Sequence, residues 1–99
     1  MLVDAENVRR SRWPNLPGRE LVELCKRWAE QEGVELEVVF EPERGTADDV
    51  IARRAAELAA AGAPYWLVTS DRALRARAAG EAERVIGGGS FVRELTDAG

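Results

Sequence analysis

Apolar residues in this chain fall into short solid runs separated by longer stretches of helical spacing, a pattern that predicts strands and helices in alternation. Met1-Leu2-Val3-Asp4, apolar and closed by an acid, reads as a first strand. Prolines and a glycine across residues 9–18 mark a loop, and Pro17 is placed to open the first helix. Over residues 19–31, Leu21, Leu24, Cys25 and Trp28 recur at i, i+3, i+4 and i+7, the stripe of an amphipathic helix, and Gly33 is placed to end it. Residues 34–40 alternate and then become wholly apolar; glutamates on one face suit an edge strand with one wet side. After a turn at 41–45, Thr46 is the expected N-cap of a second helix, with Asp49 at the capping-box position and Ile51, Ala55, Leu58 and Ala59 as its buried stripe. Gly62 and Pro64 end that helix. Tyr65-Trp66-Leu67-Val68-Thr69 then reads as a strand buried on both faces of a parallel sheet, stopping at Ser70-Asp71. Ser70 is the expected N-cap of a third helix over 72–79. Residues 84–87 form a last strand, the glycines at 87–89 a tight loop, and residues 90–95 a short final helix.

Strands alternating with helices imply right-handed crossovers and a small parallel α/β sheet of about four strands, flanked by helices. The expected order is second, first, third, fourth. The first and third strands then lie side by side where the connections diverge, which is where open sheets bind ligands, outside their carboxyl ends. Asp4 and Asp71 become neighbours there. Asp48 and Asp49 approach from the connection after the second strand, and Asn7 adds an amide.

Composition narrows the chemistry. Ninety-nine residues make a single domain, 45% hydrophobic and 32% charged. No apolar run nears the roughly 20 residues that span a bilayer, and the first residues lack the basic start and apolar core of a signal peptide, so a cytoplasmic protein is the expectation. There is no histidine, and the single cysteine, Cys25, falls in a helix stripe where an inert buried thiol is expected. Serine–histidine and cysteine–histidine nucleophiles are thereby removed, and a zinc site is argued against. A net charge of −4 argues against a protein that coats nucleic acid without specificity. That balance does not describe one rim, however: Arg9, Arg10 and Arg12 stand beside Trp13, where they could grip phosphate and stack a base. They read equally as an exposed loop.

Crowded carboxylates raise one another's pKa values, a cost that a bound cation removes. An oxygen-only cluster suits Mg²⁺ or Mn²⁺, which can activate water at a phosphodiester. The plainer reading is that Asp48, Asp49 and Asp71 cap helices, Asp49 most of all. Asp4 differs, because an acid that ends a buried strand needs a polar partner. A phospho-receiver domain also gathers acids at strand ends, but the only lysine, Lys26, lies in the first helix rather than near a late strand.

Leu2-Val3-Asp4-Ala5-Glu6-Asn7-Val8, Thr46-Ala47-Asp48-Asp49-Val50-Ile51 and Val68-Thr69-Ser70-Asp71-Arg72, in this order and strand–helix context, resemble the NYN/YacP-like family of PIN-domain-like nucleases. The likeness extends to Val85-Ile86-Gly87 and the segment around Phe91. It implies a compact three-layer PIN-like domain and a metal-dependent endoribonuclease. By resemblance, Asp4, Asp48 and Asp71 match the catalytic, metal-binding acids, while Asn7, Asp49 and Ser70 match supporting positions. Arg9, Arg10, Arg12 and Arg72 are the expected RNA contacts at the rim. Phe40-Glu41 reaches Thr46 after only a few residues, where YacP-like members carry a further strand–loop unit. A smaller sheet follows, and whether Glu41 replaces the acid lost with that unit stays open. The alternative is a catalytically weak or inactive RNA-binding or protein-interaction module on the same fold. A homodimer would cover the edges that a four-strand sheet leaves.

Overall fold

Strands β1 (Leu2–Asp4), β2 (Glu37–Val39), β3 (Trp66–Val68) and β4 (Arg84–Ile86) pair all-parallel, in the order β2-β1-β3-β4, in the computed structural model, which describes residues 1–97. Leu2 lies opposite Leu67 and Val3 opposite Val68, so the carboxyl ends of β1 and β3 are level with each other. Strand side chains alternate between faces. Leu2 and Leu67 accordingly join Ile51, Ala55 and Leu74 in one core, while Val3, Val68 and Ile86 join Leu21, Cys25, Trp28, Phe91 and Leu95 in the other. Each core is closed by helices: α3 (Ala47–Ala60) and α4 (Arg72–Ala78) on the first face, α1 (Ala5–Arg9), α2 (Gly18–Glu32) and α5 (Gly88–Asp97) on the second. The result is a three-layer α/β domain with the expected strand order.

Trp28 and Phe91 meet edge to face, with ring centroids 5.3 Å apart, and both are buried. Truncating Phe91 would cost roughly 3–5 kcal/mol. Gly33 ends α2 with φ +66°, a left-handed turn that other residues rarely adopt.

Local boundaries depart from the expected ones for identifiable reasons. Only Glu37–Val39 of residues 34–40 pairs as a strand; β2 is the edge, as expected, and only β1 offers it a ladder. Residues Ala5–Arg9 turn directly into helix after β1, a five-residue element too short to show a stripe. α5 begins at Gly88, inside the glycine run expected to be a loop. Asp71, not Ser70, caps α4. Trp66, expected in the core, is half-buried: its indole N–H donates to Glu83 at 3.2 Å, and Arg84 lies over its ring. Among the described residues no helix is long and apolar enough to cross a membrane.

Candidate functional site

β1 ends on a carboxylate that is only 5% exposed. Its Oδ2 accepts a hydrogen bond from the Thr69 hydroxyl at 2.9 Å, and the Thr69 Oγ1 in turn accepts the Asp71 backbone N–H at 3.1 Å. One fully buried hydroxyl therefore joins the last residue of β1 to the residue that begins α4. Asp71 Oδ1 accepts the Leu74 N–H at 3.1 Å, a helix cap, while the residue stays partly exposed at the sheet edge. Asp71 is thus a cap and a neighbour of Asp4 at once.

A second polar chain runs alongside. Ser70 donates its backbone N–H to Asn7 Oδ1 at 2.8 Å, and Gly88 donates its N–H to Ser70 Oγ at 2.9 Å. These bonds fasten α1 and α5 to the end of β3. Gly88 is required for the approach: a Cβ there would collide with Ser11 Oγ and stand 2.7 Å from Asn7 Oδ1. Asn7 and Ser70 are therefore brought together, as supports of the backbone around Asp71.

The third acidic position comes from the start of α3. Thr46 Oγ1 accepts the Asp49 N–H at 3.1 Å, and Glu41 Oε1 accepts the Ala47 N–H at the same distance. Asp49 turns away from the edge and pairs with Arg77 of α4 at 2.8 Å, exposed to solvent. Asp48 makes no ion pair among the described residues and is half-buried.

Electrostatics separates these acids. Burial raises the Asp4 carboxyl above its ordinary pKa, against the hydrogen bond from Thr69 and the Asn7 backbone N–H, and the charges of Asp48 and Asp71 raise it further. Asp48 is raised too, first by burial, then by Asp71, with Glu41 and Asp49 adding to it and Arg77 opposing. Asp49 moves the other way, because Arg77 hydrogen-bonds to its charged form. Asp4, Asp48 and Asp71 thus share one repulsive field, to which Glu41 and Asp49 add at Asp48 although Asp49 is itself paired with Arg77.

The donor chemistry of that edge fits a hard cation: carboxylates, an amide and hydroxyls, all oxygen. Cys25 is no competitor. It lies in the α2 core, where burial pushes its thiol up to about 11. Among the described residues no three carboxylate or thiol side chains stand close enough to hold an ion as they are, and no buried side-chain polar atom lacks a partner.

The basic rim is mixed. Arg9 is engaged internally, donating to Glu6 at 2.8 Å and to the Leu16 carbonyl at 2.8 Å, which closes the loop after α1. Arg10, Arg12 and Arg72 are exposed, and Trp13 is 89% exposed in the same loop as Arg12. Thr69 and Gly88 were not singled out from sequence. A threonine closing a run buried on both faces must find a polar partner, and that was the available signal for Thr69. Comparisons with family models, with curated proteins and with solved structures gave no match.

Proposed function

We propose that this domain is a metal-dependent endoribonuclease whose Asp4, Asp48 and Asp71 hold Mg²⁺ or Mn²⁺ at the carboxyl edge of the sheet. The observation that carries the reading is the buried Asp4 carboxylate joined through Thr69 to Asp71 at the switch point of a parallel sheet. A bound ion would relieve the repulsion among these acids and would supply activation of water and stabilisation of charge on a phosphodiester. Thr69 holds Asp4 in place through Oδ2. Asn7 and Ser70 fix the backbone that carries Asp71, and Asp49, held by Arg77, stands outside the ligand set. Arg12, exposed, would meet phosphates, joined by Arg10 if it leaves its 3.6 Å pairing with Glu6, and Trp13 would stack an unpaired base.

Asp4→Asn or Asp71→Asn is expected to abolish Mn²⁺-dependent cleavage of single-stranded RNA while the melting temperature holds. Full activity in either variant would remove these acids from the site.

A second reading, a non-catalytic RNA-binding or protein-interaction module, is favoured by one observation: the acids do not stand close enough to hold an ion as they are. Its mark would be RNA binding that is indifferent to Mn²⁺ and to Asp4→Asn.

A further inference from the structure

Arg9, Arg54 and Arg75 are the half-buried arginines among the described residues. Arg9 pairs with Glu6 and Arg54 with Glu37, but Arg75 has no carboxylate within ion-pair distance among the described residues. Its Nε donates to the Thr69 carbonyl at 2.9 Å, which fixes the guanidinium at the end of β3 and leaves the Nη groups to other partners. A half-buried guanidinium held this way, with no carboxylate on it, keeps its Nη donors directed and available to an oxygen ligand.

A second donor converges on the same place: a Cβ on Gly87 would lie 3.7 Å from Arg75 Nη2 and 3.3 Å from Ser70 Oγ, so the glycine leaves both groups beside bare backbone that any side chain would crowd. Ser70 Oγ accepts the Gly88 N–H and so keeps its own hydrogen to donate. An oxyanion over Gly87 would receive a hydroxyl donor on one side and a guanidinium on the other, the pairing that phosphate geometry favours. Ser70 lies between Thr69 and Asp71 in sequence, so these donors stand on the segment that also carries the acid of β3's end.

We propose that Arg75, with Ser70 and the open face of Gly87, forms a phosphate subsite that takes the backbone phosphate next to the one cleaved. The identity of the strand rests on the endoribonuclease reading; the anion site does not.

The test begins with inorganic phosphate titrated into the ¹⁵N-labelled protein, which should shift the Arg75 Nε–H resonance. A fluorescent oligouridylate, with Ca²⁺ in place of Mg²⁺, then gives affinity against salt. Arg75→Gln should weaken binding about tenfold and reduce the slope of log K against log salt by about one. Arg75→Lys should keep that slope. Gly87→Val should weaken phosphate binding with Arg75 intact, which covers the case of an Arg75→Gln that melts early. An Arg75 resonance unmoved by phosphate, or an unchanged slope in Arg75→Gln, overturns the subsite. A protein that binds phosphate at Arg75 but cuts no RNA overturns the nuclease reading alone, and one that cuts RNA equally well as Arg75→Gln overturns the subsite alone.

Discussion

The two ends of the sheet manage charge in opposite ways. At the amino end the cations are engaged: Arg54 pairs with Glu37 at 2.9 Å and with Glu57 at 3.3 Å, the Met1 ammonium donates to the Glu35 carbonyl at 3.0 Å, and Arg84 lies over Trp66. A cavity of about 860 Å³ opens at this end, lined by Leu36, Leu58, Pro64, Tyr65 and Trp66 among others. At the carboxyl end Asp48 and Asp71 repel Asp4, Asp71 and Glu41 repel Asp48, and the nearby cation Arg77 is paired with Asp49. That hollow is therefore not where the unbalanced chemistry lies. The proposed cation would balance the carboxyl edge, while the amino end is balanced by its own side chains.

The sharpest way to break the contrast is to neutralise one acid at each end. Asp4→Asn should reduce Mn²⁺-dependent RNA cleavage by more than the roughly 100-fold expected of a supporting residue. Glu37→Gln should leave the rate unchanged. Equal losses from both would mean that cleavage does not depend on the carboxyl edge.

Thr69→Val comes next. It keeps the shape but removes the hydroxyl between Asp4 and the Asp71 N–H, so two hydrogen bonds go at once. We expect a loss of about 1–3 kcal/mol in urea unfolding and a roughly 10–100-fold fall in cleavage. A stable but inactive variant would still place Thr69 in the site; a stable and active one would remove it.

Acid titration distinguishes neighbouring residues. Asp4 and Asp48 are raised above the ordinary value of 3.8 in the folded protein. Between that value and their folded values the native state binds more protons than the unfolded state, so their contribution to stability rises as pH falls through this window. Asp49 is lowered, and the stability it contributes is lost only as pH falls below 3.8. Carboxyl NMR titrations should therefore place Asp4 and Asp48 above 3.8 and Asp49 below it. The urea midpoint should rise on mild acidification in the wild type and less so in Asp4→Asn. Added Mg²⁺ should raise the midpoint more at neutral pH, where the carboxylates are charged, than at pH 4.

The smallest effect is expected at the amino end. Arg54→Ala removes two ion pairs whose charged ends face solvent, and such pairs contribute little to stability. A change in cleavage in that variant would contradict the separation of the two ends.

Much of this architecture is legible in the residues. The apolar run before Ser70-Asp71 and the early Val3-Asp4 segment are enough to anticipate β3 and β1 as neighbours with their acids level, because strand order follows from alternating elements and crossover hand. What the chain does not advertise is what depends on distant partners. Thr69 reaches Asp4 across 65 positions, and Asp49 is diverted by Arg77 from another helix. Ser70 and Asp71 are both good capping residues by type; the choice falls to Asp71 because Ser70 is occupied by Asn7 and Gly88. Arg9 looks like its neighbours Arg10 and Arg12 until the loop folds back and offers it the Leu16 carbonyl. Gly88 belongs to a glycine run that reads as a flexible loop, yet it is the point where α5 touches Asn7 and Ser11.

The central claim is that a cation joins the acids of the carboxyl edge, and a crystal soaked in Mn²⁺ tests it most directly. Anomalous density bonded to Asp4, Asp48 and Asp71, absent in Asp4→Asn, is the predicted result. A fully soaked crystal with no manganese among these carboxylates, or with manganese bound only at the amino end near Glu35 and Glu37, would contradict it.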